Sequence, residues 1–383
     1  MRILMLHNRY LVPGGEDQST AAEAALLRET GCSVDLLERD NREIGQLSKA
    51  KVAMRTIWSR KSFSEVFERL RSGDYDVLHV QNFFPLWSPA VYHAAAKAGV
   101  PVVQTLRNYR LMCVNSLFFR DGRPCEDCLG RTVPWPGILH ACYRQSRAGS
   151  AVVAGMITTH HFLGTWQTKV NTYIALTEFA REKFIAGGLP AEKIMLKPNF
   201  VHPAPPIGNG GGGYALFVGR LSSEKGISTL LDAWTLSNCM LPLKIVGDGP
   251  DSARVAAAAA IRPKVEYLGR KSSEEVIELM RNAEFLVFPS ECYENMPRSI
   301  IEAFAVGTPV LASKIGAGIS MVEPDKTGFH FKAGDAGNLR RMAEWCSKNL
   351  DAIRALRSNA RSEYELKYSG PANAQALLEI YRH

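Results

Sequence analysis

Two glutamates separated by seven residues, Glu294 and Glu302, are the side chains of this 383-residue sequence whose types and spacing are the most informative. Glu294 lies just before Pro297, where the backbone is biased away from helix, and Glu302 follows Ile300 within an apolar run. Carboxylates in or near a core are costly unless they bind something. The pair therefore predicts a loop that runs into a helix and carries two ligand-binding acids.

The elements around this pair predict where it lies in a fold. The apolar segment Phe285–Phe288 precedes the loop, and a second apolar segment, residues 310–312, follows the helix. The order strand, loop, helix, strand is typical of a parallel α/β sheet. Ligands bind such sheets at the carboxyl ends of the strands, so we expect both acids to face a ligand there.

A glycine and two cations follow another predicted strand, residues 214–218. Gly219 allows a close backbone approach to a ligand. Arg220 and Lys225 come next, just before a predicted helix, and a helix N-terminus already favours an anion. The pattern favours a phosphate-binding site. The alternative is that both cations are solvated surface side chains.

The stretch from Glu294 to Glu302 and its flanking residues resembles the signature of the retaining GT-B glycosyltransferases called family 4. The Gly-Arg-Leu and Glu-Lys-Gly motifs within residues 219–226 are similar to the motif with which that family holds the donor diphosphate. The resemblance covers nearly the whole chain and is strongest over residues 214–331. It implies an α/β protein of the GT-B fold, with two Rossmann-like domains facing each other across a cleft.

The resemblance also implies a role for each matching residue. Glu302 would bind the ribose hydroxyls, because a carboxylate accepts two hydrogen bonds from a diol. Glu294 would hold the donor sugar, while Arg220 and Lys225 would bind the diphosphate, so these three are the candidate catalytic residues. No cofactor is implied for catalysis. The other donor-binding candidates lie at strand ends or in loops: Gly14, Gly15, Gly219, Gly269, Arg270, Asn295, Met296 and Pro297.

Three further candidates for the acceptor side of the cleft lie in the first half of the chain. Glu16 follows the loop at Pro13, whose two glycines do not form the Gly-x-Gly-x-x-Gly dinucleotide fingerprint. His79 ends a predicted strand and could equally be a core histidine with satisfied partners. Arg107 stands where most family members have a histidine that approaches the donor sugar. A cation used there, an altered sugar choice and a reduced activity remain open as explanations.

Strands and helices alternate on both sides of a segment rich in Pro and Gly, residues 198–213. We therefore expect an acceptor-binding domain of residues 1–198, a hinge, and a donor-binding domain of residues 199–371. By resemblance, a C-terminal helix over residues 372–383 packs back on the first domain. The predicted strands are residues 2–6, 33–37, 77–80, 102–105, 173–175, 214–218, 243–246, 265–268, 285–288 and 310–312.

Four cysteines fall within thirty residues, and two of them form a Cys-x-x-Cys turn: Cys113, Cys125, Cys128 and Cys142. In a reducing compartment this pattern predicts a structural zinc site with four thiolate ligands, an iron–sulfur cluster, or four packed, reducible thiols, and these alternatives remain open. The other four cysteines are scattered, and we expect them to be packed in the core: Cys32, Cys239, Cys292 and Cys346.

The formal net charge of +8 favours an anionic partner. Residues 49–71 carry seven Lys or Arg interleaved with Trp58, Phe63 and Phe67, a pattern typical of helices that rest on an anionic membrane. The alternative is a solvated surface. No nucleic-acid-binding module is recognisable. Without a signal peptide or a long apolar segment, we expect a cytoplasmic protein, peripheral to the inner face of the cytoplasmic membrane.

The resemblance implies a retaining transfer of a sugar from a nucleotide-diphosphate donor to a hydroxyl of a saccharide acceptor. By analogy with the family, that acceptor is a lipid-linked saccharide in the biosynthesis of a bacterial surface polysaccharide. Two alternatives remain. One is a non-catalytic relative that binds a nucleotide sugar, which Arg107 favours. The other is a sugar-nucleotide epimerase of the same fold.

Overall fold

The computed structural model describes residues 1–11, 14–235 and 241–382. Pro13 and Cys239 lie outside the described residues. The chain forms two compact units. The first contains Met1–Phe118, Cys125–Pro198 and the C-terminal stretch from Ala374, and the second contains Phe119–Pro124 and Asn199–Asn373.

Strands make up the centre of each unit. In the described residues they are β1 (Arg2–Arg9), β2 (Ser33–Asp40), β3 (Val77–Val80), β4 (Val102–Thr105), β5 (Phe119–Arg120), β6 (Arg123–Pro124), β7 (Thr172–Ala175), β8 (Ile194–Leu196), β9 (Ala215–Val218), β10 (Leu243–Val246), β11 (Val265–Gly269), β12 (Phe285–Phe288), β13 (Val310–Ser313) and β14 (Gly328–Phe331). All ten predicted strands are confirmed.

Helices connect most of these strands. Three short segments form 3-10 turns, at Asn41–Gln46, Ala191–Lys193 and Ser223–Lys225. The α-helices described are α1 (Gly15–Glu29), α2 (Lys49–Ile57), α3 (Arg60–Gly73), α4 (Ala90–Ala98), α5 (Trp135–Leu139), α6 (Arg147–Phe162), α7 (Thr165–Thr168), α8 (Glu178–Ala186), α9 (Ile227–Thr235), α10 (Ser252–Ile261), α11 (Ser273–Asn282), α12 (Arg298–Ala305), α13 (Ala317–Met321), α14 (Ala336–Lys348), α15 (Leu350–Ala355), α16 (Arg357–Lys367) and α17 (Gly370–Arg382).

The first unit is built on a six-stranded parallel sheet in the order β2-β1-β3-β4-β7-β8. The chain leaves β1 for β2 on one side and then returns to place β3 on the other side of β1. The carboxyl ends of β1 and β3 therefore lie at a topological switch point, where open α/β sheets bind their ligands. The loops that follow β1, β3 and β4 are placed at this edge.

The second unit repeats this arrangement with the order β11-β10-β9-β12-β13-β14, again parallel throughout. Here the sheet is built outward from β9, with β10 and β11 on one side and β12, β13 and β14 on the other. The switch point lies at the carboxyl ends of β9 and β12. Residues that follow these two strands are therefore neighbours, although they are far apart in sequence.

Four strands were not predicted. Two of them, β5 and β6, are only two residues long and pair with each other, and the other two, β8 and β14, lie at the edges of the six-stranded sheets. β8 has only three residues and β14 contains Gly328 and His330, so neither has the longer run of apolar residues that marks a buried central strand. Their pairing with β7 and β13 comes from tertiary packing instead.

The glycine-rich segment that precedes β9 is hydrogen-bonded to the end of α11 within the second unit. The backbone N–H groups of Gly210 and Gly212 donate to the carbonyls of Arg281 and Asn282 at 3.0 and 2.9 Å. A Cβ on Gly208 would lie 2.2 Å from the Arg281 carbonyl oxygen, so the close approach requires glycine there.

Candidate functional site

Lys225 and Glu294 form an ion pair at the switch point of the second unit. Lys225 ends the turn after β9, and Glu294 lies in the loop after β12. The ammonium Nζ of Lys225 donates to Oε1 of Glu294, which also accepts a hydrogen bond from Ser290 Oγ at 2.9 Å. Both side chains are mostly buried, with 26% and 15% of their surfaces exposed.

The environment of Lys225 keeps it charged. Burial alone would lower the pKa of the ammonium, but the Glu294 carboxylate, helped by Cys292 and Glu224, outweighs this and raises the pKa of Lys225 above its ordinary value. A lysine ammonium has three donors, so it can bind Glu294 and a ligand oxygen together. The pair can therefore present a fixed cation to an anionic group.

Two glycines allow the loops of this site to pack against each other. Gly226 has φ +70°, and a Cβ there would lie 1.9 Å from the carbonyl oxygen of Pro289. Gly316 has φ +55° and lies under the backbone of Glu294, whose N atom would be 3.1 Å from an added Cβ. Left-handed backbone combined with close approach restricts both positions to glycine.

Glu302 lies in α12 and is held by Arg298 one turn earlier. The guanidinium donates from Nε and Nη2 to Oε1 of Glu302 at 3.3 and 3.2 Å. Burial raises the pKa of Glu302, and Arg298 opposes this only in part. Oε2 is left to accept hydrogen bonds from a ligand.

Arg220 and Arg270 follow β9 and β11, the two strands that flank β10, and both are exposed. In the described part of the chain neither has a carboxylate within ion-pairing distance, so either can bind an anion. Gly219 donates its backbone N–H to Val246 at 3.1 Å, and Gly269 has φ +67°. The structure thus places four of the candidate donor-binding residues at the same edge of one sheet.

Asn295, Met296 and Pro297 have buried side chains and support the loop from within. The Met296 sulfur accepts the backbone N–H of Asn199 at 3.0 Å, and Pro297 is the N-cap of α12. Through these side chains the apolar interior fixes the position of Glu294. A ligand would meet the backbone of this segment rather than its side chains.

In the first unit, Asp17, which was not among the predicted site residues, holds described residues that follow β1. Its carboxylate accepts the backbone N–H of Gly14 at 3.0 Å and contacts His7 Nε2 at 2.8 Å. Gly14 has an extended φ of −129°, and an added Cβ would meet nothing within 4 Å. Gly15 opens α1. The sequence feature that could have identified Asp17 is an acidic residue in the first turn of a helix.

Glu16 lies beside Asp17 in the chain, with one oxygen bonded. Its Oε2 accepts the hydroxyl of Tyr10 at 2.8 Å, whereas Oε1 is buried and has no hydrogen-bond partner among the described residues. Burial raises the pKa of Glu16, and Arg107 opposes this. An unsatisfied buried carboxyl oxygen is costly and marks a place where a ligand hydroxyl could donate.

His79 is a core histidine, and both of its ring nitrogens have partners within the first unit. It is fully buried, with Nδ1 2.6 Å from the hydroxyl of Tyr381 and Nε2 2.7 Å from Thr105 Oγ1. Burial lowers the pKa of His79 to about 4, so the ring is neutral at pH 7. This matches the second interpretation left open above.

Arg107 is part of a buried polar network. Its Nε and Nη2 donate to Oε1 of Gln81 at 3.0 and 2.6 Å, and Nη2 lies 3.9 Å from Oε2 of Glu23. Lys197 Nζ donates to the same Glu23 oxygen at 2.5 Å. The guanidinium is therefore balanced from within the unit, and its side chain is only 3% exposed.

The predicted zinc site is not supported by the geometry. Within the described residues, no group of three His, Cys, Asp or Glu side chains is arranged to hold a metal ion. None of the four clustered cysteines is in a disulfide. Cys113 Sγ instead contacts Asn115 Oδ1 at 3.0 Å, and burial raises the pKa of the Cys128 thiol to about 12. Of the scattered cysteines, Cys292 and Cys346 are buried as predicted.

The basic segment forms the two helices α2 and α3. Its aromatic side chains pack inward, since Trp58 stacks on His160 at a centroid distance of 5.9 Å and Phe63 stacks on Phe67 at 6.2 Å. The exposed apolar group is instead Met54, with 65% of its surface accessible. No helix within the described residues combines the length and the apolar character needed to cross a bilayer.

Two family models match the chain. Residues 206–363 match the model described as Glycosyl transferases group 1, and residues 14–199 match the Glycosyl transferase 4-like domain. The first match contains Lys225, Glu294 and Glu302, and the second contains Glu16 and Arg107.

Curated relatives are glycosyltransferases. D-rhamnosyltransferase WbpZ of Pseudomonas aeruginosa is 31% identical over 156 residues, which cover 39% of this chain and 40% of that protein. The match therefore spans less than half the length of this relative. Phosphatidyl-myo-inositol mannosyltransferase of Mycobacterium leprae is 28% identical over 386 residues, covering 97% of this chain and 93% of that protein.

Solved structures show the same fold. Anabaena HepE in complex with UDP and glucose has a TM-score of 0.70 and 17% identity, covering 99% of this chain and 98% of that chain. Sucrose-phosphate synthase from Thermosynechococcus elongatus has a TM-score of 0.70 and 16% identity, covering 100% and 98%. With the two parallel six-stranded sheets, these likenesses give a GT-B fold of two Rossmann-like domains.

Proposed function

We propose that this chain is a glycosyltransferase that moves a sugar from a nucleotide-diphosphate donor to a hydroxyl of a saccharide acceptor, because residues 206–363 and 14–199 match two glycosyltransferase family models. The donor would bind the second unit, which contains most of the expected donor-binding domain of residues 199–371, and the acceptor would bind the first unit, which contains most of the expected domain of residues 1–198. The stereochemical course is retention at the anomeric carbon. The acceptor is a lipid-linked saccharide of a surface polysaccharide.

The ion pair of Lys225 and Glu294 at the switch point of the second unit carries this proposal. It places a cation whose pKa is raised beside a carboxylate, at the end of a sheet where nucleotides bind. Arg220 adds a second, exposed cation at the same strand end. Glu302 supplies a free carboxylate oxygen for a vicinal diol. The site therefore offers cations for a diphosphate leaving group and carboxylates for the hydroxyls of a sugar and a ribose.

In the proposed reaction, negative charge grows on the diphosphate as the bond to the sugar breaks. Arg220 and Lys225 stabilise that charge without the reorganisation that water would need. Glu294 orients Lys225 and accepts hydrogen bonds from the sugar. The acceptor hydroxyl loses its proton to the departing diphosphate on the same face, which gives retention. None of these steps requires a protein nucleophile.

A screen of nucleotide sugars by thermal shift, followed by a transfer assay, tests this function. A donor present at 100 times its Kd should stabilise the protein by about 2.7 kcal/mol. Product with a retained anomeric configuration, seen by NMR, would support a transferase. Interconversion of the donor without acceptor would identify an epimerase, and binding without turnover would identify a non-catalytic relative.

Replacing Glu302 by glutamine is expected to weaken donor binding about tenfold. Glutamine keeps the size of the side chain but accepts with one oxygen only, and a hydrogen bond to a charged group contributes ~1.5–3 kcal/mol. Isothermal titration with the donor found in the screen measures the change. Glu274→Gln, on the exposed face of α11, is the matched control. Equal affinities for wild type and Glu302→Gln would remove this residue from the site.

We also propose that α2 and the start of α3 rest on the anionic inner face of the cytoplasmic membrane. Arg60 and Lys61 are exposed and Arg55 is half-buried, and none of them pairs with a carboxylate among the described residues. Exposed Met54 lies on the same helix as Arg55 and can enter the interface. A peripheral position of this kind would bring the first unit to a lipid-linked acceptor.

Changing Arg55, Arg60 and Lys61 to glutamate is expected to abolish sedimentation with anionic vesicles. Each basic residue near such a surface contributes about 1 kcal/mol, and each reversal adds repulsion. Nucleotide affinity should not change. A control triple variant on the second unit, with Lys332, Arg341 and Lys348 changed to glutamate, carries the same net charge. If both triple variants lose binding equally, only net charge matters and the α2 surface is a solvated face.

A further inference from the structure

A cavity in the first unit lies at the carboxyl ends of β3 and β4. It encloses about 280 Å³, part of it open to solvent, and its walls come from the residues that follow these two strands. Its polar lining includes Gln81, Asn82, Arg107, Asn108 and Arg110. Among the described residues that line it there is no Asp or Glu. The cavity therefore presents two guanidinium groups and several amides.

Arg110 brings a charge to this cavity that no carboxylate neutralises. Its Nη1 donates to the carbonyl of Val114 and its Nη2 to Ser116 Oγ at 2.9 Å, while the guanidinium lies 4.5 Å from the ring centroid of Phe84. Among the described residues, no carboxylate is within ion-pairing distance of Arg110. Burial lowers the pKa of Arg110. Desolvated charges are costly unless they are paired.

Asn108 adds an oriented donor next to Arg110. Its Oδ1 accepts the backbone N–H of Arg110 at 3.1 Å, which fixes the amide and leaves Nδ2 available as a donor. Neither Asn108 Nδ2 nor Arg110 Nε has a hydrogen-bond partner within the described part of the chain. Two unused donors, one of them charged, therefore lie on one cavity wall.

The neighbouring charges keep this wall positive. Arg107 is balanced by Glu23, which also binds Lys197, so a single carboxylate serves two cations there. Glu16 is the other carboxyl close enough to influence Arg110, and burial shifts it towards its neutral form. An anion in the cavity would meet more positive than negative charge.

We propose that this cavity binds an oxyanion carried by the acceptor, with Arg110 Nε and Asn108 Nδ2 as its donors. The inference rests on the proposed function, since it names the class of saccharide that the first unit receives: an acidic one. The oxyanion can be the carboxylate of a uronic acid residue or a phosphate near the accepting hydroxyl. A planar guanidinium suits both.

Three probes that share the methyl glucoside ring and differ in the group at C6 test this inference: methyl glucoside, methyl glucuronide and methyl glucoside 6-phosphate. Their binding to the full-length protein is measured by ligand-observed NMR, without any nucleotide. We expect at least one anionic probe to bind ten or more times more tightly than the neutral one. A preference for glucuronide assigns the oxyanion to a sugar carboxylate, and a preference for the phosphate assigns it to a phosphate. Equal binding of all three would overturn the proposal.

Variants locate the binding. Arg110→Met should lower the affinity for the preferred anionic probe about tenfold, as expected for the loss of a charge-assisted hydrogen bond, and leave the neutral probe unaffected. Asn108→Leu should lower it less, and serves as the second variant if Arg110→Met does not fold. Arg181→Met, which removes an exposed pair with Glu178 in the same unit, is the control. Unchanged anionic binding in both site variants would overturn the assignment.

The result of the probe experiment is independent of the test of the proposed function. Nucleotide binding and sugar transfer depend on Lys225, Glu294 and Glu302 in the second unit, whereas the probe experiment uses no donor. A protein that transfers sugar to neutral acceptors only would leave the function intact and refute the acidic acceptor. A protein that binds the anionic probes but no nucleotide sugar would refute the function instead.

Discussion

Replacing Lys225 by alanine is expected to lower kcat about 10²- to 10³-fold. The proposed role of this ammonium is to stabilise charge that appears on the diphosphate in the transition state, and losing one preorganised contact of that kind has this effect. Its partner Glu294 holds it in place, and the pKa of Lys225 is raised, so the cation is present throughout the working pH range. The effect should fall on kcat more than on donor affinity.

Steady-state kinetics with saturating acceptor would measure the change, and calorimetry would give donor affinity separately. Lys271→Ala removes an exposed pair with Glu275 in the same unit and should behave as wild type. Arg220→Ala should also reduce turnover, because it removes the second cation at this strand end. Near-normal kcat in both Lys225→Ala and Arg220→Ala would refute the diphosphate assignment.

Replacing Lys197 by methionine is expected to destabilise the protein by about 3–5 kcal/mol. Lys197 and Glu23 are buried, and their charged groups are 2.5 Å apart. Removing one partner of a buried pair leaves the other charge uncompensated, which is the costly case. Chemical denaturation measures the free energy of unfolding. Adding Glu23→Gln to Lys197→Met should recover part of the loss, since it removes the unpaired carboxylate but leaves the buried Arg107 without its balancing charge. A double variant less stable than Lys197→Met would contradict this explanation.

The same pair gives the protein an acid dependence. Burial alone would raise the pKa of Glu23, but Lys197 and the neighbouring cations outweigh it and lower the pKa from 4.5 to about 2. The folded-state pKa lies below the unfolded one, so this stabilisation is complete above pH 4.5 and is lost as the pH falls towards 2. The Glu23→Gln and Lys197→Met double variant should lack this part of the acid dependence.

The sequence by itself determined the elements and the chemistry that each strand end carries. Apolar runs and helix-breaking residues are local features, so the strands at Phe285–Phe288 and Val77–Val80 could be placed from them. The order of acids around Glu294 and Glu302 predicted a ligand-binding loop and helix, and the same stretch resembled the family whose models match this chain. Local sequence patterns are sufficient to predict a function when its residues lie close together in the chain.

Only the tertiary structure decided which of these residues meet. Lys225 and Glu294 are 69 positions apart, and Glu23 and Lys197 are 174 apart. The first pair forms because parallel strands with crossover helices bring distant strand ends to one edge, and the second because α1, which carries Glu23, packs beside the end of β8 next to Lys197. No local pattern encodes either contact. The fate of a polar side chain likewise depends on burial: His79 became a neutral core residue, Arg107 was balanced by Glu23, and Arg110 was left with an unneutralised charge. The free-energy cost of removing a charge from water depends on whether neighbouring groups compensate that charge. Packing, and not sequence spacing, determines which groups are its neighbours.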